Sequence, residues 1–155
     1  MAIQRFGHIG ICVSSLAQSI PFYRDLLGFR TMTLAEVRGA DADRLMGLAG
    51  VDQTSVFLER DGVRIVLFEY RSPAPLGGGR REMNRLGLAA IMLRVDDLEA
   101  TLKTLRAAGV NVLDDTQTDY AEYHSKLVFV TDPDGTMVEL VQIPGDLYTP
   151  FGKPY

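Results

Sequence analysis

Histidine and cysteine, two of the side chains most often used for chemistry near neutral pH, are scarce in this chain. Its 155 residues hold two histidines and one cysteine. One cysteine excludes an internal disulfide. Cys12 stands in an apolar stretch and reads as core filler rather than as a nucleophile, because buried thiols are common and inert. No apolar run approaches the ~20 residues that a bilayer span needs. The opening residues, MAIQR, lack the apolar segment of a secretory signal, so a cytoplasmic address is expected and no membrane partner. An excess of basic charge is missing too. The net charge is −4 and the basic residues are scattered, which disfavours nucleic acid as a partner. What remains is a hydrophobic content of 46%, ordinary for a globular protein. The length suits one domain or two small modules sharing a core.

The most informative stretch is residues 131–142, TDPDGTMVELVQ. Asp132-Pro133-Asp134-Gly135 is turn chemistry: proline presets φ, aspartates bond their own backbone, and glycine accepts positive φ. Apolar, β-branched runs flank it, over residues 127–131 and 137–141, and predict a hairpin. Glu139 lies inside the second strand, between Val138 and Leu140. A carboxylate there either faces solvent or lines a polar cavity, since burying it unpaired is costly.

The same order of elements occurs twice. Residues 6–13 predict a strand. Ser14-Ser15 with Gln18 resembles a capping box, opening a helix to about Leu27 that kinks or restarts at Pro21. A strand over 29–37, a short helical insertion over 40–48 and a hairpin over 54–59 and 63–70 complete the first pass. Pro73, Pro75 and Gly77-Gly78-Gly79 mark a mobile linker. Then come a strand over 88–95, a helix over 98–107 with Asp96 and Glu99 as a second capping box, a short strand over 110–113, and the hairpin already described. The expected division is a first βαβββ module over 1–72, a linker over 73–87, a second module over 88–144 and an aromatic tail over 145–155, where Tyr148, Phe151 and Tyr155 could pack on the surface or over a pocket mouth. Either half alone leaves one sheet face bare, so the halves are expected to pair, within the chain or between chains. The class is α+β.

These residues resemble the vicinal oxygen chelate superfamily, the group of glyoxalase I, methylmalonyl-CoA epimerase, extradiol dioxygenases, fosfomycin-resistance thiol transferases and bleomycin-resistance proteins. HIGICV (8–13), PFYRDLLGF (21–29), LRVDDL (93–98) and DPDG with MVEL (132–135 and 137–140) carry the resemblance. It implies two tandem βαβββ modules whose curled mixed sheet surrounds a cup-shaped cavity. It also implies one metal ligand on the first and one on the last strand of each module, and a divalent metal that stabilises an enolate or similar anion. A homodimer is expected on the same ground.

Superposing Val13-Ser14-Ser15-Leu16 on Val95-Asp96-Asp97-Leu98 sets His8 opposite Ala90. Superposing Asp61-Gly62 on Asp134-Gly135 sets Val66 opposite Glu139. Of the four ligand positions that the resemblance implies, Val66 and Ala90 cannot bind metal. Glu69 is offset from Val66 by an odd number of residues and points away unless a bulge reverses it. His124 is another candidate, and Tyr120 and Tyr123 could offer hydroxyls to a substrate. A lone strand histidine is more often structural, and a buried tyrosine usually serves packing. His8 and Glu139 remain as the catalytic candidates and as the candidate ligands of a weakly held divalent metal, or of none.

Three functions stay open. His8 and Glu139 could form a general acid/base pair for isomerase-, epimerase- or lyase-type steps on a small organic metabolite. Glu69, His124 or a dimer mate could complete a glyoxalase- or dioxygenase-type metal site. Or the chain could bind a flat apolar molecule without turnover, as bleomycin-resistance proteins do. Pocket walls are expected from irregular segments over 40–52 and 114–123.

Overall fold

A computed structural model describes residues 2–145; the aromatic tail lies outside the described residues. The chain divides into two compact units, residues 1–77 and 78–155. Both are built as one four-stranded mixed sheet with a helix, and the class is α+β.

In the first unit β1 (Ile9–Val13), β2 (Arg30–Arg38), β3 (Asp52–Arg60) and β4 (Val63–Ser72) lie in the order β1-β4-β3-β2. The pairing of β1 with β4 is parallel, the other two antiparallel. Alternation sorts the side chains. Ile11 and Val13, Val56 and Leu58, Ile65 and Leu67 are all buried and share the face that takes helix α1 (Leu16–Pro21). The opposite face carries Gly10 and Cys12, Gln53, Ser55 and Phe57, Val66, Phe68 and Tyr70. Asp61 and Gly62 (φ 52° and 79°) form the two-residue turn between β3 and β4, whose twist requires positive φ at both positions.

Helix α1 does not restart at Pro21 with Ser19 as its cap. It runs on into a π-helical turn, Phe22–Leu26, in which the Leu27 N–H reaches five residues back to the Phe22 carbonyl at 3.1 Å. Proline has no N–H to give to the regular ladder, and the wider turn buries Phe22, Tyr23 and Leu27. Nor does the serine capping box form: Ser15 is the N-cap, but its side chain makes no capping bond. The Glu69 carboxylate takes that place, accepting the Leu16 N–H at 2.5 Å. Helix α2 (Ala40–Met46) is the insertion between β2 and β3. Behind it the Asp43 carboxylate accepts from Val51 N–H at 2.7 Å and Gly50 N–H at 2.9 Å, and these bonds hold its pKa below the usual carboxylate range.

The second unit has the same plan. Strands β5 (Ile91–Arg94), β6 (Asn111–Tyr120), β7 (Ser125–Thr131) and β8 (Met137–Gln142) lie in the order β5-β8-β7-β6. Helix α3 (Leu98–Ala107) buries Leu98, Leu102 and Leu105. Its N-cap is Asp97, not Asp96, and accepts from Ala100 N–H at 3.0 Å. Gln142 Oε1 accepts from Leu98 N–H at 2.9 Å.

Strand β6 runs to Tyr120, so most of 114–123 is strand rather than irregular wall. A register shift falls between Leu113 and Thr118. There the Thr116 hydroxyl donates to the Leu113 carbonyl and accepts from the Phe129 N–H, replacing a ladder bond.

The linker is more tightly held than its glycines suggest. The Gly79 N–H donates to the Asp134 carbonyl at 2.8 Å, and a Cβ on Gly135 (φ 92°) would fall 2.3 Å from the Gly79 carbonyl carbon. Backbone meets backbone there, which only glycine allows. Among the described residues no helix is long and apolar enough to cross a membrane.

Candidate functional site

The two modules hold their first and last strands in one common register. Gly10 stands beside Val66 in the first, and Met92 beside Glu139 in the second. His8 precedes Gly10 by two residues, as Ala90 precedes Met92. The repeat thus assigns His8 and Val66 of one unit the same places as Ala90 and Glu139 of the other.

In the first unit His8 is exposed and meets two aromatic rings edge-on, Phe57 at 5.7 Å and Phe68 at 6.4 Å between centroids. Gly10 makes room for this. A Cβ there would sit 2.3 Å from the Phe68 ring, so the bare strand lets that ring lie over β1. Val66, on the same face, is fully buried.

Cys12 is exposed, which corrects the reading of it as core filler. Apolar residues on both sides of a strand hide its alternation. Ile11 and Val13 take the helix side and leave Cys12 on the face of Gly10. This face also carries polar groups that sequence reading missed. Gln53 is 0% exposed. Ser55 Oγ donates to Gln53 Oε1 at 3.1 Å. The Tyr70 hydroxyl donates to Met46 Sδ at 3.6 Å. Burial pushes the Tyr70 pKa up, Cys12 adds to this, and a hydrogen bond from the Gln53 side chain opposes it. The available signal was the period-two spacing of Gln53 and Ser55 in an otherwise apolar strand.

Glu69 is turned to the helix side. Strand β4 pairs with β1 in continuous register through Val13 and Glu69, so no bulge reverses it, and its carboxylate is committed to the Leu16 N–H.

In the second unit Glu139 is half-buried, with Met92 and Phe129 as its strand neighbours. Among the described residues its carboxylate makes no hydrogen bond or ion pair, and burial pushes its pKa up, as desolvation disfavours charge. Tyr120 and Tyr123 come together, rings 6.5 Å apart. His124 follows them in a left-handed conformation (φ 50°) and is exposed. The strand does not bring His124 to Glu139. Phe129, the partner of Glu139, lies five residues on from His124, about 16 Å at the usual strand rise. Ser125, between them, is fully buried, and among the described residues its Oγ has no hydrogen-bond partner.

These donors do not suit the metal site that the resemblance implies. Structural sites use four protein ligands and catalytic zinc three. Two of the four repeat positions are Val66 and Ala90, Glu69 is engaged elsewhere, and among the described residues no three His, Cys, Asp or Glu side chains group as ligands.

Residues 5–140 match the family model described as the Glyoxalase/Bleomycin resistance protein/Dioxygenase superfamily. The chain is 26% identical over 144 residues to a mitochondrial methylmalonyl-CoA epimerase of Dictyostelium discoideum, covering 90% of this chain and 79% of that protein. Among solved structures it is similar to a glyoxalase family protein from Bacillus cereus, with a TM-score of 0.80, 22% identity, and 94% and 97% of the two chains covered. It is also similar to the trypanothione-dependent glyoxalase I of Leishmania major, with a TM-score of 0.62, 22% identity, and 90% and 87% covered. A genomically encoded fosfomycin resistance protein of Listeria monocytogenes gives a TM-score of 0.63 at 16% identity, with 94% and 97% covered.

Proposed function

Because the chain belongs to the glyoxalase/bleomycin resistance protein/dioxygenase superfamily, we propose that it acts on a small organic metabolite by proton transfer. The reaction is of epimerase, isomerase or lyase type, and His8 and Glu139 are its acid/base groups. One observation carries this reading: of the four positions equated by the repeat, these two alone hold a titratable side chain, the others being Val66 and Ala90. A half-buried carboxylate whose pKa burial raises is suited to take a proton from a substrate and give it back. His8 supplies the second proton-transfer group. Phe57 and Phe68 orient the His8 ring. The similarity to a protein named as an epimerase supports the class of chemistry. A homodimer and a cytoplasmic address belong to the same proposal, and sedimentation velocity reads the first.

The test is deuterium exchange at an acidic carbon. Methylmalonyl-CoA is incubated in D₂O with the protein, and loss of the α-proton signal is followed by NMR. The wild type exchanges it above the buffer rate, and His8→Ala and Glu139→Gln, folded by circular dichroism, return the rate to that of buffer. Exchange that survives in both variants overturns the assignment.

A second reading has its own support. Val66 and Ala90 replace potential ligands by apolar groups, and two phenyl rings stand by His8; such walls suit a flat apolar ligand held without turnover. Tight binding of an aromatic ligand, with no exchange on any acidic substrate, would favour it.

A further inference from the structure

The insertion between β2 and β3 crosses the first sheet rather than hanging from its edge. It leaves β2 after Arg38 and enters β3 at Asp52, and these two residues are strand partners, so its roots stand side by side. Between them helix α2 packs on β2, and its last residue, Met46, meets the Tyr70 hydroxyl of β4 at 3.6 Å. Strand β3 separates β2 from β4, so the segment passes over β3 on the side of Tyr70. Burial follows its course. On that side of β3 Gln53 and Ser55 are buried, but Phe57 and Glu59 only partly. Their partners on β2 grade the same way: Val37 and Ala35 are partly buried and Thr33 is exposed.

The insertion holds its own shape. The Asp43 N–H donates to the Gly39 carbonyl at 3.0 Å, and the Asp43 carbonyl accepts from the Leu48 N–H at 3.1 Å. The Asp43 carboxylate takes the N–H groups of Gly50 and Val51. One residue thus ties the helix to both of its roots. Gly39 (φ 93°) and Gly50 (φ 69°) stand at those roots. A Cβ on Gly39 would meet nothing within 4 Å, so glycine there serves backbone freedom rather than close packing. Hinges are a few such positions that absorb a large change in φ and ψ. Little opposes a swing about them. Ala42 is the one residue of α2 that is buried, and few buried apolar contacts make a segment easy to open locally. At the far end the tie is the Tyr70–Met46 contact. The Tyr70 oxygen accepts from the Gln53 side chain, which leaves its proton for Met46, and a thioether is a weak acceptor.

We propose that residues 40–49 are a lid over the Gln53 and Tyr70 end of this sheet face, pivoting on Gly39 and Gly50 and latched by the contact of Tyr70 with Met46. The lid opens in the ligand-free protein while the sheet stays folded. It rests on the proposed function only in taking this face as the one that receives the small molecule. Its motion is read without substrate, so a failure of deuterium exchange on methylmalonyl-CoA leaves it standing, and its own failure leaves His8 and Glu139 in place.

The experiment is labelling of the native full-length protein by N-ethylmaleimide, followed by mass spectrometry. Cys12→Ser removes the one natural thiol. Ser55→Cys then reports from beneath the lid, and Val56→Cys, buried on the helix side of the same strand, is the control. Ser55→Cys is expected to react at a rate that low urea does not change, as in local opening, and Val56→Cys only at a rate that rises with urea, as in global unfolding. Met46→Leu should speed the reaction of Ser55→Cys about threefold, the scale of one weak hydrogen bond. Adding Met46→Leu to Tyr70→Phe should change nothing further, because both break one contact. Amide hydrogen exchange over residues 40–51 should quicken by the same factor in Met46→Leu, with strands β7 and β8 unchanged. This exchange is read in protein that keeps Ser55, so it decides the matter even where a cysteine variant does not fold. The proposal is overturned if Ser55→Cys shows the urea dependence of Val56→Cys, or if Met46→Leu leaves exchange over 40–51 at the wild-type rate. It is also overturned if labelling quickens while that exchange does not, since the reagent would then enter from the open side of the face.

Discussion

Glu69 and Gln142 do the same thing in the two modules. Each accepts the backbone N–H of its module's first helical residue, Glu69 from Leu16 at 2.5 Å and Gln142 from Leu98 at 2.9 Å. Each stands at the same distance along its strand from the hairpin glycine, Gly62 or Gly135. A last-strand side chain thus ties the sheet to the exposed donors of a helix start.

Removing the tie destabilises without touching the proposed chemistry. Glu69→Ala should cost about 1–2 kcal/mol, the scale of a lost cap, and Glu69→Gln, which keeps an acceptor, under half of that. Urea unfolding monitored by far-ultraviolet dichroism measures both. An unchanged midpoint in Glu69→Ala would show that the bond contributes nothing.

Gly10→Ala brings a methyl to 2.3 Å from the Phe68 ring. The ring must move, at an overpacking cost of about 1–3 kcal/mol, and His8 loses one of its two aromatic neighbours. The expected signature is a change in the His8 ring-proton shifts together with a fall in exchange activity of at least tenfold. Wild-type His8 shifts in the folded variant would separate Gly10 from the histidine.

Gly135→Ala should be more damaging. The new methyl meets the Gly79 backbone, and the residue must hold φ 92°. Strain and clash together should exceed about 3 kcal/mol. Thermal unfolding reads it, and Gly79→Ala at the facing position serves as the comparison.

Glu139 gives a pH-dependent prediction whose sign runs against the common one for carboxylates. Its native pKa is raised above the ordinary 4.5 by burial, so the folded chain holds this proton more tightly than the unfolded chain. Below pH 4.5 both states are protonated and the group has no effect. As pH rises through the unfolded value the unfolded chain ionises first and stability falls, until the native carboxyl ionises in turn. Glu139→Gln should therefore be more stable than the wild type at pH 7, with the difference vanishing toward pH 4. A wild type more stable than the variant at pH 7 would mean that a cation faces the carboxylate.

Much of this architecture was readable before any coordinates, because it is written twice. The repeat of strand, helix and hairpin signals located both sheets, and the alignment of Val13 with Val95 and of Gly62 with Gly135 agrees with the strand registers. What escaped reading depends on distant partners. A capping box is a local pattern, and Ser15 offered one, yet the cap came from Glu69 in another strand. Strand β6 extends past the expected 110–113 through Asp114, Asp115 and Gln117, which lack apolar alternation; its ladder is made by backbone and by Thr116. The exposure of Cys12 was hidden by apolar neighbours on both sides. Gln53 went unnoticed since an amide among apolar residues gives no sign, in sequence, of whether its hydrogen bonds are met.

The parallel pairing of β1 with β4 has a consequence for how the protein is made. Among the described residues Ile9 finds its strand partner only at Ile65, and β1 is an edge strand with no second neighbour. On the ribosome the start of the chain must wait, unpaired, until the fourth strand has emerged, and closure over that separation is slow. Strands β2 to β4 can zip locally in the meantime, so the fourth strand presents a bare edge until β1 arrives. That edge is thus the last part of the first unit's sheet to be covered.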